Sequence, residues 1–420
     1  MTAPIYQRIE RCRVCGNTHL EPLLDLGQQA LTGVFPRRRD EAVGVGPLEL
    51  VKCHGPASGG GDACGLVQLR HSYAAEQMYG DNYGYRSGLN ASMVSHLRGK
   101  VERILARVAV PDGAIVLDIG SNDGTTLSAY PAGRFERLGI DPTAAKFRHY
   151  YPADVKVGTE LFSERAFRTL AGARQAAVVT SFAMFYDLED PLAFMRAVHG
   201  VLADDGVWVF EQSYLPLMLE RNAYDTICQE HIEYYSLSII LRMARDTGFR
   251  IIDVELNDIN GGSFSVMVAK AASAHPASPD VARLVAEEQA LGVDGLALYA
   301  AFADRVTASR DALRGFMAEA RAAGKTVAAL GASTKGNVIL QYCGLGPDDI
   351  IAVGEVNEEK FGGFTPGTLI PIVPEAELIA RAPDYLVVLP WHFRDTFARK
   401  RASLQGASRF VFPLPTLEVL

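Results

Sequence analysis

A chain of 420 residues exceeds what one hydrophobic core usually organises, so we expect two or three domains. The composition is that of a globular protein, with 48% hydrophobic and 21% charged residues and no apolar run of membrane-spanning length. The N-terminus lacks a basic segment followed by an apolar one, so we expect no secretory signal and a cytoplasmic location. A formal net charge of -8 argues against a nucleic-acid partner, because phosphate backbones require clustered lysine and arginine.

Four of the six cysteines lie in the first 64 residues, in two pairs. They are Cys12, Cys15, Cys53 and Cys64. The first pair has the spacing of a metal-binding knuckle, whereas the second is separated by ten Gly-rich residues that can loop out, against the usual two to four. Two thiolate pairs predict a closed structural zinc site, with His19 and His54 as alternative ligands. Free or disulfide-bonded cysteines are the other interpretation, although reducing conditions disfavour a disulfide.

A tyrosine-rich stretch, YGDNYGYRSGLN at residues 79–90, precedes a helical pattern from residue 93 to residue 108. Its candidate functional residues are Tyr79, Tyr83, Tyr85 and Arg86. They are candidates for a lid or for binding an oxyanion or the substrate, and amphipathic packing between modules is the alternative.

Apolar β-rich segments alternate with helical ones from residue 115 to about residue 270. The strand candidates are IVLDIG, RLGID, AAVVTSF, GVWVFEQ, RIIDVEL and FSVMVA. The last follows Gly261 and Gly262 and suits a terminal antiparallel strand. This pattern predicts a doubly wound, mostly parallel α/β domain.

The first of these strands ends in Asp118 and runs into a tight loop between Gly120 and Gly124, which contains Asn122 and opens onto a helix. Glycine lets the backbone turn sharply and lets a ligand approach it closely. About 20 residues later a second strand ends in Asp141, where a carboxylate can bind ribose hydroxyls. The spacing D-x-G-x-x-x-G is that of class I methyltransferases and not that of NAD-binding folds. We therefore predict an S-adenosylmethionine site, with a structural strand–turn–helix as the alternative.

The segment CQEHIEYY, residues 228–235, combines an acid, a histidine and two tyrosines. A histidine titrates near neutrality, so His231 suits a general base, and Glu230 can orient the imidazole or transfer a proton itself. The segment follows the strand VWVFEQ by one connection, and acceptor sites form around such connections. A structural histidine is the alternative.

A polar linker at residues 271–279 leads to a helical period over residues 296–323 and then to a second βαβ-like pattern. That pattern runs TVAAL, GASTKGN, VILQYC, DIIAVGEV and YLVVLPW. We therefore predict three domains, at residues 1–75, 76–271 and 272–420. The remaining cysteines, Cys228 and Cys343, have apolar neighbours and are predicted to be core.

The loop GASTKGN, residues 331–337, lies between a strand and a helix, where backbone amides favour an anion. It lacks the spacing of a Walker A loop, and we predict a diphosphate ligand, with a structural N-cap as the alternative. Candidate substrate ligands are Ser333, Thr334, Lys335, Asn337 and, at the tip of the next strand, Glu355. Trp391, His392 and Phe393 follow a later strand and either line this cleft or pack in the core.

With CRVCG, VLDIGSNDGT, QEHIEYYS and GASTKGN in this order, the chain resembles the sugar C-3-methyltransferases over nearly its whole length. The resemblance implies an N-terminal zinc-binding module, a class I methyltransferase Rossmann-like central domain for S-adenosylmethionine, and a C-terminal Rossmann-like α/β domain that holds a nucleotide diphosphate. It also implies a nucleotide-linked 4-keto-deoxysugar as substrate. The family's base is the histidine of the Glu-His pair, which carries Glu230, His231 and the Tyr83/Tyr85 region over to this chain.

The chain departs from the family's pattern in three places. The second cysteine pair is stretched by residues 54–63, Cys228 replaces a tyrosine two places before the Glu-His pair, and Phe185 stands near a family histidine. These departures bear on the exact substrate and proton relay, and not on the reaction type.

The implied chemistry fits the residues. A ketone at C-4 acidifies the C-3 proton, so His231 can remove it, and the resulting enolate carbon attacks the methyl group. Three alternatives stay open: an O- or N-methyltransferase, which needs no acidic C–H, a non-catalytic sugar-nucleotide-binding protein, and an NAD-dependent oxidoreductase, which the glycine spacing disfavours.

Overall fold

The computed structural model describes residues 5–55, 63–74, 86–401 and 408–420. The strands in chain order are β1 Tyr6–Arg8, β2 Leu20–Ala30, β3 Val45–Cys53, β4 Val67–Leu69, β5 His71–Tyr73, β6 Ile115–Ile119, β7 Glu136–Ile140, β8 Lys156–Gly158, β9 Ala176–Phe182, β10 Leu202–Ser213, β11 Glu233–Tyr234, β12 Phe249–Asn257, β13 Ser263–Lys270, β14 Val327–Leu330, β15 Val353–Glu355, β16 Ile372–Pro374, β17 Tyr385–Val388, β18 Arg409–Phe412 and β19 Glu418–Val419.

The helices are α1 Ala91–Arg107, α2 Thr125–Ala129, α3 Ala144–Phe147, α4 Glu164–Ala171, α5 Pro191–Val201, α6 Leu215–Glu220, α7 Leu237–Asp246, α8 Pro279–Leu291, α9 Ala297–Ala322, α10 Thr334–Tyr342, α11 Glu375–Ala380 and α12 Arg394–Arg401. Short 3-10 turns occupy Ser87–Leu89, Arg148–Tyr150, Phe185–Asp187, Tyr224–Thr226, Ile259–Gly261, Glu358–Lys360 and Trp391–Phe393. Within the described ranges, no helix is both long enough and apolar enough to cross a bilayer.

A seven-stranded sheet with the order β12-β13-β10-β9-β6-β7-β8 forms the centre of the molecule. The chain leaves β6 towards β7 and β8 and then returns to β9 on the other side, so the strand order reverses between β6 and β9. Strand β13 runs antiparallel to both of its neighbours, β10 and β12. This is the predicted class I methyltransferase arrangement, and the antiparallel direction of FSVMVA is confirmed.

Both faces of the central sheet are covered, which explains why all five residues of β6 are buried. On one face, Val116 packs with Val101 and Ile104 of α1. On the other, Trp208 and Phe210 of β10 form an aromatic cluster. The carboxyl ends of β6 and β9 therefore present their loops from a rigid support.

The C-terminal sheet, called the third sheet below, has the order β16-β15-β14-β17-β18-β19 and is parallel except for β19. The long helix α9 covers the 296–323 pattern, as predicted. Helix α10 begins at Thr334, four residues earlier than the predicted helix VILQYC, because Ser333 caps it, so the last four residues of GASTKGN form its first turn. The Rossmann-like character of the C-terminal part is thereby confirmed.

The N-terminal part contains an antiparallel sheet of order β11-β4-β3-β2, which the sequence did not indicate. Register shifts interrupt the pairing of β2 with β3 at two places, so no regular alternation marks the strands. The fourth strand, β11, comes from the segment directly after His231, where Glu233 pairs with Gln68. This N-terminal sheet, called the first sheet below, thus includes residues far beyond position 75. The predicted domain boundaries stay a prediction.

Candidate active site and zinc site

The four N-terminal cysteines converge on one point. Their Sγ atoms all lie within 4.8 Å of one another, with Cys12 to Cys64 at 3.4 Å and Cys15 to Cys53 at 3.5 Å. A tetrahedral zinc site with Zn–S bonds of about 2.3 Å has sulfur–sulfur edges of about 3.8 Å, so this donor set fits a closed structural zinc. Across the described ranges, no histidine joins the group.

Local backbone structure brings the two pairs together. The first pair lies in a turn where the amide of Gly16, at a φ of 72°, donates to the carbonyl of Cys12 at 2.9 Å. The second pair is held by strands, because Cys53 ends β3 and its amide donates to the carbonyl of Leu66 at 2.8 Å. The wide spacing therefore does not keep the four thiols apart. Residues 56–62 of the spacer lie outside the described part.

The predicted cofactor loop lies at the carboxyl end of β6, where the strand order reverses. Gly120 and Gly124 have φ values of 72° and 77°, a conformation that favours glycine. A Cβ on Gly124 would also lie 2.7 Å from the Tyr151 ring. Asp118 is buried and accepts a hydrogen bond from the Thr180 hydroxyl at 2.6 Å, and burial raises its pKa to about 7. Doubly wound sheets bind nucleotide-like ligands at this reversal point, and the loop fits such a ligand.

Asp141 follows β7 and closes the same loop. Its carboxylate accepts hydrogen bonds from the amide of Asn122 at 2.8 Å and from the amide of Thr143 at 2.6 Å. The Ser87 amide donates to the Asn122 side chain at 3.0 Å. Arg86 places its guanidinium 4.1 Å from the centre of the Tyr150 ring. The structure thus puts Arg86 beside the cofactor loop.

His231 lies between the turn Tyr224–Thr226 and β11. Its Nδ1 is 3.0 Å from the carbonyl oxygen of Thr226. Because a carbonyl can only accept, we assign the proton to Nδ1, which leaves a lone pair on Nε2. The ring packs against Tyr186 at 4.2 Å between centroids. Burial, followed by the charge of Lys335, lowers the pKa of His231 to about 3, so the ring is neutral near pH 7.

Glu230 faces a different set of partners from its neighbour. A Cβ on Gly33 would lie 2.0 Å from its Oε1, so the carboxylate occupies space that this glycine leaves open. Burial raises the pKa of Glu230 to about 7, against the opposing charge of Lys360. The carboxyl group therefore sits between the first and third sheets.

The helix that begins within GASTKGN contacts the turn Tyr224–Thr226, whose last residue bonds to His231. Ser333 is the N-cap of α10, accepting from the Gly336 amide at 3.0 Å, so the structural N-cap does exist. Lys335 donates from Nζ to the carbonyl of Asn260 at 2.6 Å. Its charge lowers the pKa of both His231 and His392. The hydrogen bond to Asn260 attaches Lys335 to the central domain.

Two other predicted substrate ligands form hydrogen bonds to the backbone of the chain itself. The Asn337 amide donates to the carbonyl of Thr32 at 2.7 Å and is fully buried. Glu355 accepts from the backbone amides of Val356 at 2.6 Å and Asn357 at 2.9 Å. Tyr79, Tyr83 and Tyr85 lie outside the described residues.

Sequence reasoning missed two charged residues that act on Glu230 and Lys335. Lys360 donates to the carbonyl of Ala332 at 2.7 Å, and its Nζ lies 4.3 Å from the centre of the Phe35 ring. Asp225 is buried and accepts from the indole of Trp391 at 2.8 Å, while its Oδ1 has no hydrogen-bond partner within the described part of the chain. Neither residue stands in a recognisable motif, so only the folded chain reveals them.

The departures from the family pattern have clear places. Phe185 lies in the aromatic core and stacks on Tyr235 at 5.4 Å, whereas the next residue, Tyr186, contacts His231. The ring of Tyr186 thus adjoins the candidate base. Cys228 and Cys343 are both buried, as predicted for core residues.

Comparison with known proteins agrees with this arrangement. Residues 12–79 match a zinc binding domain family, residues 93–254 a methyltransferase domain, and residues 258–415 the C-methyltransferase C-terminal domain. The C-methyltransferase NovU of Streptomyces niveus is 32% identical over 432 residues, covering 99% of this chain and 98% of the relative.

Two solved structures resemble part of the chain. The CcbJ methyltransferase of Streptomyces caelestis is 13% identical, covering 42% of this chain and 90% of its own, with a TM-score of 0.33. The magnesium protoporphyrin IX methyltransferase ChlM of Synechocystis PCC 6803 is 12% identical, covering 47% and 89%, with a TM-score of 0.33. Because these TM-scores are too low to assign a fold, the fold assignment rests on the strand order of the central sheet. Through its full-length match to NovU, the chain belongs to the C-methyltransferase family, as a zinc-binding enzyme that transfers a methyl group from S-adenosylmethionine to carbon.

Proposed function

We propose that the enzyme methylates C-3 of a nucleotide-diphosphate-linked 4-keto-deoxysugar through an enolate. The observation that carries this proposal is the tautomer of His231. Its Nδ1 proton is held by the Thr226 carbonyl, so Nε2 is the basic atom. Transfer to carbon requires removal of a C–H proton, which transfer to oxygen or nitrogen does not.

The charges around His231 suit an anionic substrate. Lys335 lowers the pKa of His231, and a diphosphate near that ammonium would offset part of its effect. Substrate binding would then move the imidazole towards the range of a useful base.

The proposed substrate ligands come mainly from the third sheet and its helix. They are Ser333, Thr334, Lys335 and Glu355, with Arg86, Tyr83 and Tyr85 from the segment before α1. Asn337, which the sequence also suggested, is fully buried and bonded to Thr32, so it holds the helix and not the substrate. Lys360, which shares the cleft with Glu230, joins this set. Glu230, with a pKa raised to about 7, is proposed to exchange a proton in the same cleft.

The proposed cofactor ligands are Asp118, Gly120, Asn122, Gly124 and Asp141. When bound, S-adenosylmethionine supplies an electrophilic methyl group. Asn122 and Asp141 fix the loop through the 2.8 Å hydrogen bond between them. A loop held by such a bond has fewer conformations to lose, which lowers the entropy cost of binding.

The test is the variant His231→Asn, which keeps a polar side chain of similar shape and removes the base. We expect folding and cofactor binding to survive while methyl transfer falls by roughly 100-fold or more. A rate within a few-fold of the parent would place the base elsewhere, with Glu230 or Tyr83 as the next candidates.

Isotope exchange separates C-methylation from the O- or N-methyl alternatives. With S-adenosylhomocysteine bound, the parent enzyme should wash solvent deuterium into C-3 of the sugar, and His231→Asn should not. Absence of exchange in the parent would favour the O- or N-methyl alternatives.

A thermal-shift screen with dTDP, GDP, CDP and UDP identifies the nucleotide, because a ligand that binds the native state raises the melting temperature.

A further inference from the structure

A short segment of the zinc module, residues 29–33, lies between the two halves of the proposed active site. From Gln29 to Thr32 the residues are buried, although they belong to the end of a β-hairpin strand and its turn. The segment touches the His231 segment on one side and α10 on the other. Its contacts are hydrogen bonds of defined length, which makes its role testable.

On the side of the base, the segment holds Gln229. The Oε1 atom of this side chain accepts from the amide of Thr32 at 3.2 Å and from its hydroxyl at 3.0 Å. The Nε2 atom of Gln229 donates to the carbonyl of Gln29 at 3.2 Å. Gln229 directly precedes Glu230 in the chain, so these bonds fix the backbone position from which Glu230 and His231 extend.

On the other side, the same segment holds α10. The carbonyl of Thr32 accepts from Asn337 at 2.7 Å, and the amide of Ala30 donates to Gln341 at 2.7 Å. Asn337 and Gln341 are four residues apart and share one face of the helix. The helix therefore docks on the segment, and its first turn carries Thr334 and Lys335.

The zinc site lies at the base of this arrangement. Cys53 pairs with Leu20 at the start of β2, and its amide is bonded to the residue before β4. Strand β4 pairs with β11, and the Leu69 amide donates to the carbonyl of Ile232 at 2.8 Å. The metal thus anchors the strands that hold both ends of the segment from Gln229 to Tyr234.

We propose that residues 29–33 are a positioning element that sets the distance between the catalytic base and the substrate loop, with Thr32 as the residue that joins them. The inference rests on the proposed roles of His231 and of the GASTKGN loop. Thr32 is a positioning residue because it touches Gln229 and Asn337 and not the reacting atoms. A misplacement of about 1 Å in such a site costs roughly 100-fold in rate.

The primary test compares Thr32→Val with Thr32→Ser. Valine keeps the shape and removes the hydroxyl bond to Gln229, whereas serine retains it. With a dTDP-linked or GDP-linked 4-keto-6-deoxyhexose, whichever the parent methylates, we expect Thr32→Val to lower kcat about 10-fold or more. The KM for the sugar nucleotide and the Kd for S-adenosylmethionine should change less than threefold, and serine should restore the rate.

A matched control removes a comparable hydrogen bond and keeps the ring that packs with Leu31. Tyr73 donates to the carbonyl of Pro47 at 2.6 Å within the same module, so Tyr73→Phe should leave kcat unchanged. Zinc content reports folding of each variant. An equal loss of rate in Tyr73→Phe would overturn the inference, because the effect would then be general destabilisation.

A second variant and a readout without substrate keep the test decisive. Gln229→Leu breaks the same bonds from the central domain, and the double variant with Thr32→Val should lose little more than either single variant. Hydrogen exchange of residues 229–234 should rise in Thr32→Val with no ligand present, while that of residues 115–124 stays unchanged. Additive losses or unchanged exchange would overturn the inference.

The His231→Asn variant separates this inference from the proposed function. If His231→Asn stays active, the base is wrongly assigned whatever the Thr32 variants show. If His231→Asn is inactive while Thr32→Val keeps its full rate, the positioning role alone is rejected.

Discussion

A single ring proton decides what His231 can do. The Thr226 carbonyl holds that proton on Nδ1, and burial together with the charge of Lys335 keeps the ring neutral by lowering its pKa to about 3. Burial acts in the opposite sense on Glu230, whose pKa rises to about 7. The pKa of His231 thus lies below that of its neighbour Glu230, the reverse of their ordinary order. Such opposite shifts are a common property of acid–base sites.

Removing the lysine charge should therefore change the histidine. In Lys335→Met the pKa of His231 should rise, because the second cause of its depression is lost while burial remains. The imidazole resonance, assigned by comparison with His231→Asn, gives this pKa by NMR titration. An unchanged value would mean that the ammonium does not act on the ring.

The same pKa fixes the sign of the pH dependence of stability. The folded-state pKa of His231 lies at about 3, below the ordinary value of 6.5, so its contribution to stability is complete above 6.5. That contribution is lost as the pH falls from 6.5 towards 3, because the unfolded chain then binds the extra proton.

Gly33 offers a test of Glu230 that leaves Glu230 itself in place. In Gly33→Ala the new Cβ would lie 2.0 Å from Oε1, so the carboxylate must move, and we expect kcat to fall about 10-fold while the fold persists. Gly99→Ala is the control, since nothing lies within 4 Å of its Cβ in α1. Full activity of Gly33→Ala would show that the position of this carboxylate does not matter.

Among the larger elements, the loop after β6 depends on the strand beside it. Asp141, at the end of β7, accepts from Asn122 and Thr143. Asp141→Ala should weaken S-adenosylmethionine binding by about 1–3 kcal/mol, because the loop amide and the ribose hydroxyls both lose their acceptor. Calorimetry measures this, with the exposed Asp112→Ala as control. Undiminished affinity in Asp141→Ala would reject the cofactor assignment.

Local patterns in the sequence predicted the elements that carry strong local signals. The strands IVLDIG and FSVMVA and the helix over residues 296–323 are where hydrophobic periodicity indicates them. The N-terminal sheet was missed because bulges disturb the alternation of β2. The approach of Lys335 to His231 was also missed, because no local pattern reports a contact between residues so distant in the chain.

At the scale of the whole molecule, the proposed site draws on the parts of the chain around the three larger sheets. Gln229 and His231 come from the central part, Lys335 from the third, and Thr32 from the first. The zinc site belongs to the first sheet, whose strand β4 pairs with β11, next to the candidate base. We therefore expect the metal to influence the reaction through the first sheet.

Loss of the metal should accordingly affect methyl transfer more than cofactor binding. Elemental analysis should find one zinc per chain in the parent and none in Cys64→Ser, since the four thiols form one donor set. The variant should bind S-adenosylmethionine and lose methyl transfer, because β4 no longer holds β11. A metal-free parent with four freely titratable thiols would contradict the zinc assignment.

The contribution of β11 to the first sheet also constrains how the protein is made. All four cysteines emerge from the ribosome early, but the partner of β4 ends only at Tyr234. Synthesis at about 5–20 residues per second separates the end of β4 from the end of β11 by roughly ten to thirty seconds. During that interval an unpaired strand edge is open to other chains. A nascent chain with zinc already bound would therefore still wait for its own catalytic segment to close the sheet.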